Sequence, residues 1–264
     1  MKHLLLILSI IMLTSCSKID VAKHLEESMA AAENDDWETV HSKLDEVVQK
    51  VDIDNVDGAE HLYAFYIQSK YRIGQKDEAL NVSVTALEKF PENQIINFYR
   101  GKIHYENAMD MNGLDRSNEM KTAVIYLKKA YELKNEDMNA LKLLLTASVE
   151  ANDNNALHYF ELAEQYEEFK NDKNFYSLWG QMYRNYNMNV EALRVYSKSW
   201  RDHKDSAAIL NIAVIWDKKM GKPLVAKKYY IKYMQLLRQN DQITTKKTKY
   251  IKVQKRLKEL MTSL

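Results

Sequence analysis

The residues able to do chemistry are few and scattered. Histidines stand at His3, His24, His41, His61, His104, His158 and His203. No two are spaced i, i+4 around a glutamate, the arrangement that puts two zinc ligands and a general base on one helical face. No serine sits in a G-x-S-x-G elbow, and no glycine-rich loop is built to cradle a phosphate. The segment Asp52 to Glu60 carries Asp52, Asp54, Asn55, Asp57 and Gly58. A calcium loop counted from Asp52 would put Val56 at the fifth ligand position and its glycine one place late, so the segment reads as an acidic loop between helices. Cys16 is the single cysteine, which excludes an intrachain disulfide framework and a cysteine-rich zinc site. The chain therefore reads as noncatalytic, with no metal and no cofactor expected.

Cys16 has its own context. Met1-Lys2-His3 is a short basic start, and Leu4 to Leu13 is apolar except for Ser9. Ten residues are half of the about 20 that span a bilayer, but they fit the apolar centre of a secretory signal. The run ends in Leu13-Thr14-Ser15-Cys16. This resembles the bacterial lipoprotein box, an aliphatic residue and two small ones before cysteine. The resemblance implies cleavage of residues 1–15 and a diacylglyceryl group on the Cys16 thiol, with 16–20 as a short tether. It also implies a membrane attachment through that covalent lipid, since two or three acyl chains anchor firmly where one does not. Ser17, where inner-membrane retention in enteric bacteria uses Asp, favours the periplasmic side of an outer membrane if the source is Gram-negative.

Beyond Cys16 the chain must build elements that carry whatever it binds. Of 264 residues, six are glycine and two proline, 46% are hydrophobic and 28% charged. So little turn chemistry argues against an all-β fold, and the balance is that of a folded protein rather than a disordered one. Tyr63, Ile67, Tyr71 and then Ala79, Leu80, Ser83, Ala86 and Leu87 follow helical spacing on either side of Gly74, and Pro91 ends the second helix. This helix–turn–helix recurs. Its paired small residues are Ala79 and Ala86, Ala123 and Ala130, Ala156 and Ala163, Ala192 and Ser199, and more weakly Ala226 and Tyr233. The first members step by 44, 33, 36 and 34 residues.

A period near 34 with helix pairs resembles the tetratricopeptide-repeat family. Gly101 and Gly180 match its small first-helix position and Gly74 and Gly221 its turn. Phe160, Tyr196 and Tyr230 match its second-helix aromatic, with Ser83 and Leu127 standing there in two other repeats. A degenerate first unit runs from Val21 to about Asp54, with Trp37, Val40, Leu44 and Val47 in its second helix. The resemblance implies an all-α fold, a right-handed α-α superhelix of about six helix pairs over 21–243. Residues 244–264 then form a C-terminal capping helix, with Tyr250, Val253, Leu257, Leu260 or Met261, and Leu264 on one face. The 44-residue step implies about ten inserted residues near Ala108 to Glu119. Their Asn, Asp and Gly content favours a loop, or an extended helix pair with a long connector.

Such repeats bind more often than they catalyse. In this family ligands lie along the face made by first-helix positions 2, 5, 9 and 12. Here these are His61, Ala64, Gln68 and Tyr71; Phe98, Lys102 and Tyr105; Asn174, Ser177, Gln181 and Arg184; and Asn211, Ile215 and Lys218. That mixture suits an extended peptide held by hydrogen bonds and aromatic contacts. The sixth first-helix position is Phe65, Tyr99, Leu178 or Ile212 rather than the Asn with which chaperone-binding members clamp a C-terminal carboxylate.

Net charge is +1, which gives no general reason to expect nucleic acid as a partner. Its distribution is uneven: residues 17–100 carry −8, 101–200 carry −3 and 201–264 carry +11. The expected function is a lipid-anchored scaffold or adaptor that gathers a protein or peptide partner at the bacterial envelope. Lipoproteins of this architecture serve as pilotins for type IV pilus secretins, in barrel assembly or in recruiting cell-wall enzymes. The alternative is a periplasmic carrier of a small molecule in the solenoid cavity. The oligomeric state cannot be read from the sequence.

Overall fold

The computed structural model describes residues 20–134, 137–240 and 242–262. The lipidation site expected at Cys16 and the face residue Leu264 lie outside them. Among the described residues the structure is fourteen α-helices with no strand, and no helix is long and apolar enough to cross a membrane. The helices pair as α1 (Val21–Glu33) with α2 (Trp37–Lys50), α3 (Ala59–Arg72) with α4 (Lys76–Lys89), and α5 (Gln94–Asp110) with α6 (Gly113–Leu133). Next come α7 (Met138–Ala151) and α8 (Ala156–Ala163), the single turn α9 (Glu167–Lys170), and α10 (Lys173–Asn185) with α11 (Asn189–His203). The last pair is α12 (Ser206–Val214) with α13 (Pro223–Gln239), and α14 (Lys247–Thr262) closes the chain. Two compact units divide after Ala147, inside α7.

The first unit shows why the pairs form. Asp20 and Asp36 cap α1 and α2, each side chain accepting the backbone N–H of the third helical residue at 3.1 Å. Val21, Leu25, Val40, Leu44 and Val47 fill the space between those helices, and Ile53, Leu62 and Tyr66 close it. Asp54 of the acidic loop binds within the unit: the Tyr63 hydroxyl donates to it at 3.0 Å and Lys89 pairs with it. Where α5 crosses α6, Gly101 leaves room for Leu127. A Cβ there would stand 2.8 Å from the Leu127 side chain and 2.9 Å from its backbone nitrogen.

The inserted residues do not make a loop. They lengthen α5 to 17 residues and α6 to 21, leaving only Met111 and Asn112 between them. Helical bonding satisfies the backbone of this polar segment better than an open loop would. Within the segment Arg116 Nη1 donates to the Ala108 carbonyl at 3.4 Å, and Glu119 pairs with His104 Nδ1 at 2.6 Å.

The second unit repeats the plan with larger side chains. Phe160 stacks on Trp179 at 5.8 Å, with Phe175 packed against both. Gly180 accommodates the Tyr196 ring, whose atoms would lie 2.5 Å from an added Cβ. The π-helical turn Ile215–Lys219 extends α12 and delivers Asp217 into the interior. There Arg256 of α14 binds it twice, Nε to Oδ2 at 2.8 Å and Nη2 to Oδ1 at 2.7 Å, and the Tyr230 hydroxyl adds a bond at 3.1 Å. Val253 and Leu260 are the buried residues of α14, while Met261 is exposed. Arg238 of α13 also donates to the Tyr250 hydroxyl at 3.0 and 3.3 Å, so α14 docks through Val253, Leu260, the Arg256–Asp217 ion pair and Tyr250.

Most turns within pairs share one device. Asp35, Gly74, Asn152 and Asn187 all have φ between +53 and +86°. The next residue's N–H reaches back five residues, as Gln75 to the Lys70 carbonyl at 2.9 Å and Met188 to the Tyr183 carbonyl at 2.9 Å. This satisfies helix-end carbonyls. Asp and Asn tolerate that left-handed backbone better than other side chains do.

Candidate functional site

The first helices α3, α5 and α7 bear most of the expected partner-binding side chains of the first unit. Tyr71 stands near the end of α3. Its hydroxyl donates to Glu106 Oε1 at 2.6 Å, and its ring packs on Tyr99 with centroids 5.2 Å apart. Lys76 holds the other oxygen of Glu106 at 2.5 Å. One turn before Glu106, Lys102 Nζ lies 4.6 Å from the Tyr71 ring centre and 6.0 Å from that of Phe98. Aromatic faces attract cations, so the two rings steer the ammonium along the helix surface.

Beside this cluster opens a cleft of about 490 Å³ lined by Arg72, Phe98, Tyr99, Lys102, Asn139, Lys142, Leu143 and Thr146. Three cationic groups face it. Burial lowers the Lys102 pKa, and repulsion from Arg72 and Lys76 lowers it further against the opposing pull of Glu106. Burial raises the Tyr99 hydroxyl; Arg72 and Gln68, which hydrogen-bond it, pull it part of the way back. An anion entering the cleft would relieve the crowding of positive charge, and Phe98 and Leu143 would cover an apolar neighbour of that anion.

The expected residues separate into groups. Phe98 and Lys102 line the cleft, while Gln68 and Tyr71 support it through Tyr99 and Glu106. His61 is exposed at the start of α3, and Tyr105 is half-buried, outside the cleft lining. In the second unit Arg184 and Asn211 bind each other, Nη1 to Oδ1 at 3.1 Å. Arg184 also hydrogen-bonds the Tyr196 hydroxyl. Gln181 is exposed. Lys218 is exposed as well, with its ammonium 3.6 Å from Asp217. Ala64 and Ile215 are buried in the core.

Arg72 and the four α7 residues are additional to the sequence reading. The same register would have found three of them. Counted from Met138, positions 2, 5 and 9 of α7 are Asn139, Lys142 and Thr146. The 44-residue step obscured where the fourth pair begins.

No family model matches the sequence, and no curated protein matches it either. Solved structures do match. One is YrrB, described as a TPR protein with an unusual peptide-binding site. It is 18% identical, with 78% of this chain and 97% of that chain covered and a TM-score of 0.56. A tetratricopeptide repeat protein from Parabacteroides merdae ATCC 43184 is 14% identical over 91% of this chain and 98% of that one, at 0.55. MamA from Desulfovibrio magneticus RS-1, residue 41 to the end, is 17% identical over 69% and 97%, at 0.53. The chain has the tetratricopeptide-repeat fold. At these identities the likeness speaks for architecture alone.

Proposed function

We propose that this chain is a noncatalytic, lipid-anchored scaffold of the bacterial envelope, and that the cleft of α3, α5 and α7 holds its partner. One observation carries the binding part: Arg72, Lys102 and Lys142 converge on an open cleft walled by Phe98, Tyr99 and Leu143. The ligand that fits is an extended peptide segment with a carboxylate next to an apolar side chain. Its backbone would meet Asn139 and Thr146, and its acidic group the three cations. YrrB, with its own peptide-binding site, supplies a precedent on the same fold. The anchor rests on the Leu13-Thr14-Ser15-Cys16 box. A tethered scaffold raises the local concentration of what it holds at a surface, which supports a role in assembling an envelope machine such as a pilus secretin or a barrel. The small-molecule carrier reading asks for a deep apolar cavity, and three cations in the lining argue against it.

Two measurements test the two parts. Cells fed an alkyne-bearing fatty acid should label the native chain and not the Cys16→Ser variant. Equal labelling of both would remove the anchor. In fluorescence polarisation, dye-labelled peptides carrying an acidic residue beside Leu or Phe should bind the full chain. Lys102→Glu should weaken that binding about tenfold or more, the worth of one charge-assisted contact. Uncharged peptides binding equally well, or indifference to Lys102→Glu, would place the site elsewhere.

A further inference from the structure

The terminal helix α14 presents a second surface whose charge nothing nearby balances. Its inward side is committed: Val253 and Leu260 are buried and Arg256 grips Asp217. Its outward side is a stripe. Lys247, Ile251, Lys255 and Lys258 follow one another at helical spacing with Lys252 alongside, and all five are exposed. Eleven helical steps from Lys247 to Lys258 make the stripe about 16 Å long. Glu259 is the one acidic residue of the helix, and Arg256 Nη1 binds it at 2.9 Å. No carboxylate among the described residues pairs with Lys247, Lys252, Lys255 or Lys258. Like charges three residues apart, such as Lys252 with Lys255 and Lys255 with Lys258, repel along a helix. The stripe is therefore a surface that an anionic partner would relax.

The chain carries a surface of the opposite sign. In the α1–α2 pair, Glu26, Glu33, Asp35, Asp36 and Glu38 are all exposed. The three lysines of that pair are spent on other carboxylates, Lys23 and Lys43 on Glu27 and Lys50 on Glu46. Glu26, Glu33 and Glu38 pair with no cation among the described residues. Glu33, Asp35, Asp36 and Glu38 crowd the turn that joins the two helices, as the lysines crowd α14.

We propose that the outward face of α14 docks the acidic α1–α2 pair of a second copy of this chain, so that copies associate head to tail. Charge complementarity names the occupant, because the stripe's natural counterpart is present on every copy at equal concentration. Such a contact joins two different surfaces. Each copy that uses its tail still offers its acidic pair to another, so association rises with concentration. Contact through exposed charges is screened over roughly 8 Å at physiological salt, so the association is reversible and salt-sensitive. It involves neither the cleft nor the lipid, and a failure of either leaves it untouched.

Sedimentation velocity of the full-length chain in neutral detergent tests the proposal. At about 50 mM salt the mean mass should rise with protein concentration. Raising salt to about 500 mM should weaken association tenfold or more. The variant Lys247→Glu, Lys252→Glu, Lys255→Glu, Lys258→Glu should sediment as a monomer while its circular dichroism keeps the native helicity. The variant Glu26→Lys, Glu33→Lys, Glu38→Lys should do the same. Mixing the two variants in equal amounts should restore association, because each then meets a surface of opposite sign. Failure of the mixture to associate while both variants are folded overturns the proposal. So does a wild-type chain that stays monomeric at low salt. A wild-type monomer that floats with vesicles containing anionic lipid, but not with neutral ones, would overturn self-docking and assign the stripe to a membrane surface.

Discussion

First-helix faces of the two units carry similar residue types but use them differently. In the first unit Lys102 runs along the rings of Tyr71 and Phe98 into an open cleft that Arg72 and Lys142 also line. In the second, Arg184 occupies the register position of Tyr71, yet its guanidinium is closed by Asn211 and the Tyr196 hydroxyl. Where the sixth pair should add another face residue, Ile215 is buried and the chain turns π-helical. The comparison teaches that register decides which way a side chain can point. Neighbours decide whether it still has binding capacity. The first unit leaves Lys102 facing an open cleft, and the second spends Arg184 and Asn211 on each other.

Four measurements can break or sharpen that contrast. The largest effect should come from Asp217→Ala in the second unit. Removing one partner of a buried ion pair leaves Arg256 and the Tyr230 hydroxyl without their acceptor, and a loss of roughly 2–4 kcal/mol is expected in urea unfolding. The same carboxylate predicts a pH dependence. Hydrogen bonds from Arg256 hold Asp217 below its ordinary value of 3.8. A depressed folded pKa gives stability that is present above the unfolded value and lost as pH falls through the folded one. The stability gap between wild type and Asp217→Asn should therefore hold steady from about pH 8 to 5 and narrow on acidification below about pH 4. A gap that persists undiminished at pH 3 would show that the ion pair is not its source.

The glycine crossings should give a smaller effect. Gly101→Ala drives a Cβ against the Leu127 backbone nitrogen, which cannot rotate away, whereas Gly180→Ala meets only the Tyr196 ring. Overpacking of this kind costs about 1–3 kcal/mol, and Gly101→Ala should sit at the upper end. Equal melting temperatures for the two variants would mean that the first unit yields as readily as the second. The smallest change is expected for Arg184→Ala. It should cost about 1 kcal/mol, the worth of a side-chain hydrogen bond, and leave peptide affinity unaltered. A tenfold loss of affinity in that variant would extend the binding face into the second unit and erase the contrast.

Much of the fold was legible because small residues at helix crossings leave a periodic mark. Ala79, Ala86, Ala123, Ala130, Ala156, Ala163, Ala192 and Ala226 are all fully buried, as their spacing required. The turns were only half legible. Gly74 and Gly221 announced themselves, but Asp35, Asn152 and Asn187 adopt the left-handed backbone without a glycine to mark it. The segment from Ala108 to Glu119 has the Asn, Asp and Gly content of a loop, yet it is the extended helix pair that the sequence also allowed, with only Met111 and Asn112 as connector instead of a long one. Of the site, Phe98 and Lys102 were legible from register alone. Arg72 and Tyr99 were not, because they lie next to the register positions and enter the cleft only through the way α3 packs on α5.

By itself the sequence determined the all-helical class, the pairing of helices, the crossing points and the uneven distribution of charge. Each of these is a local or periodic property, carried by residues a few positions apart. The tertiary structure alone decided which polar groups remain available. Lys102 and Arg184 are both cations on first helices. One faces a cleft and the other is satisfied by Asn211, and that difference depends on partners in neighbouring helices. Arg256 reads in sequence as one more charge of a basic tail, yet it is the residue that fastens the cap. The physical reason is that hydrogen-bond satisfaction and desolvation are set by what surrounds a group in space, and helical periodicity reports only the side from which the surroundings will come.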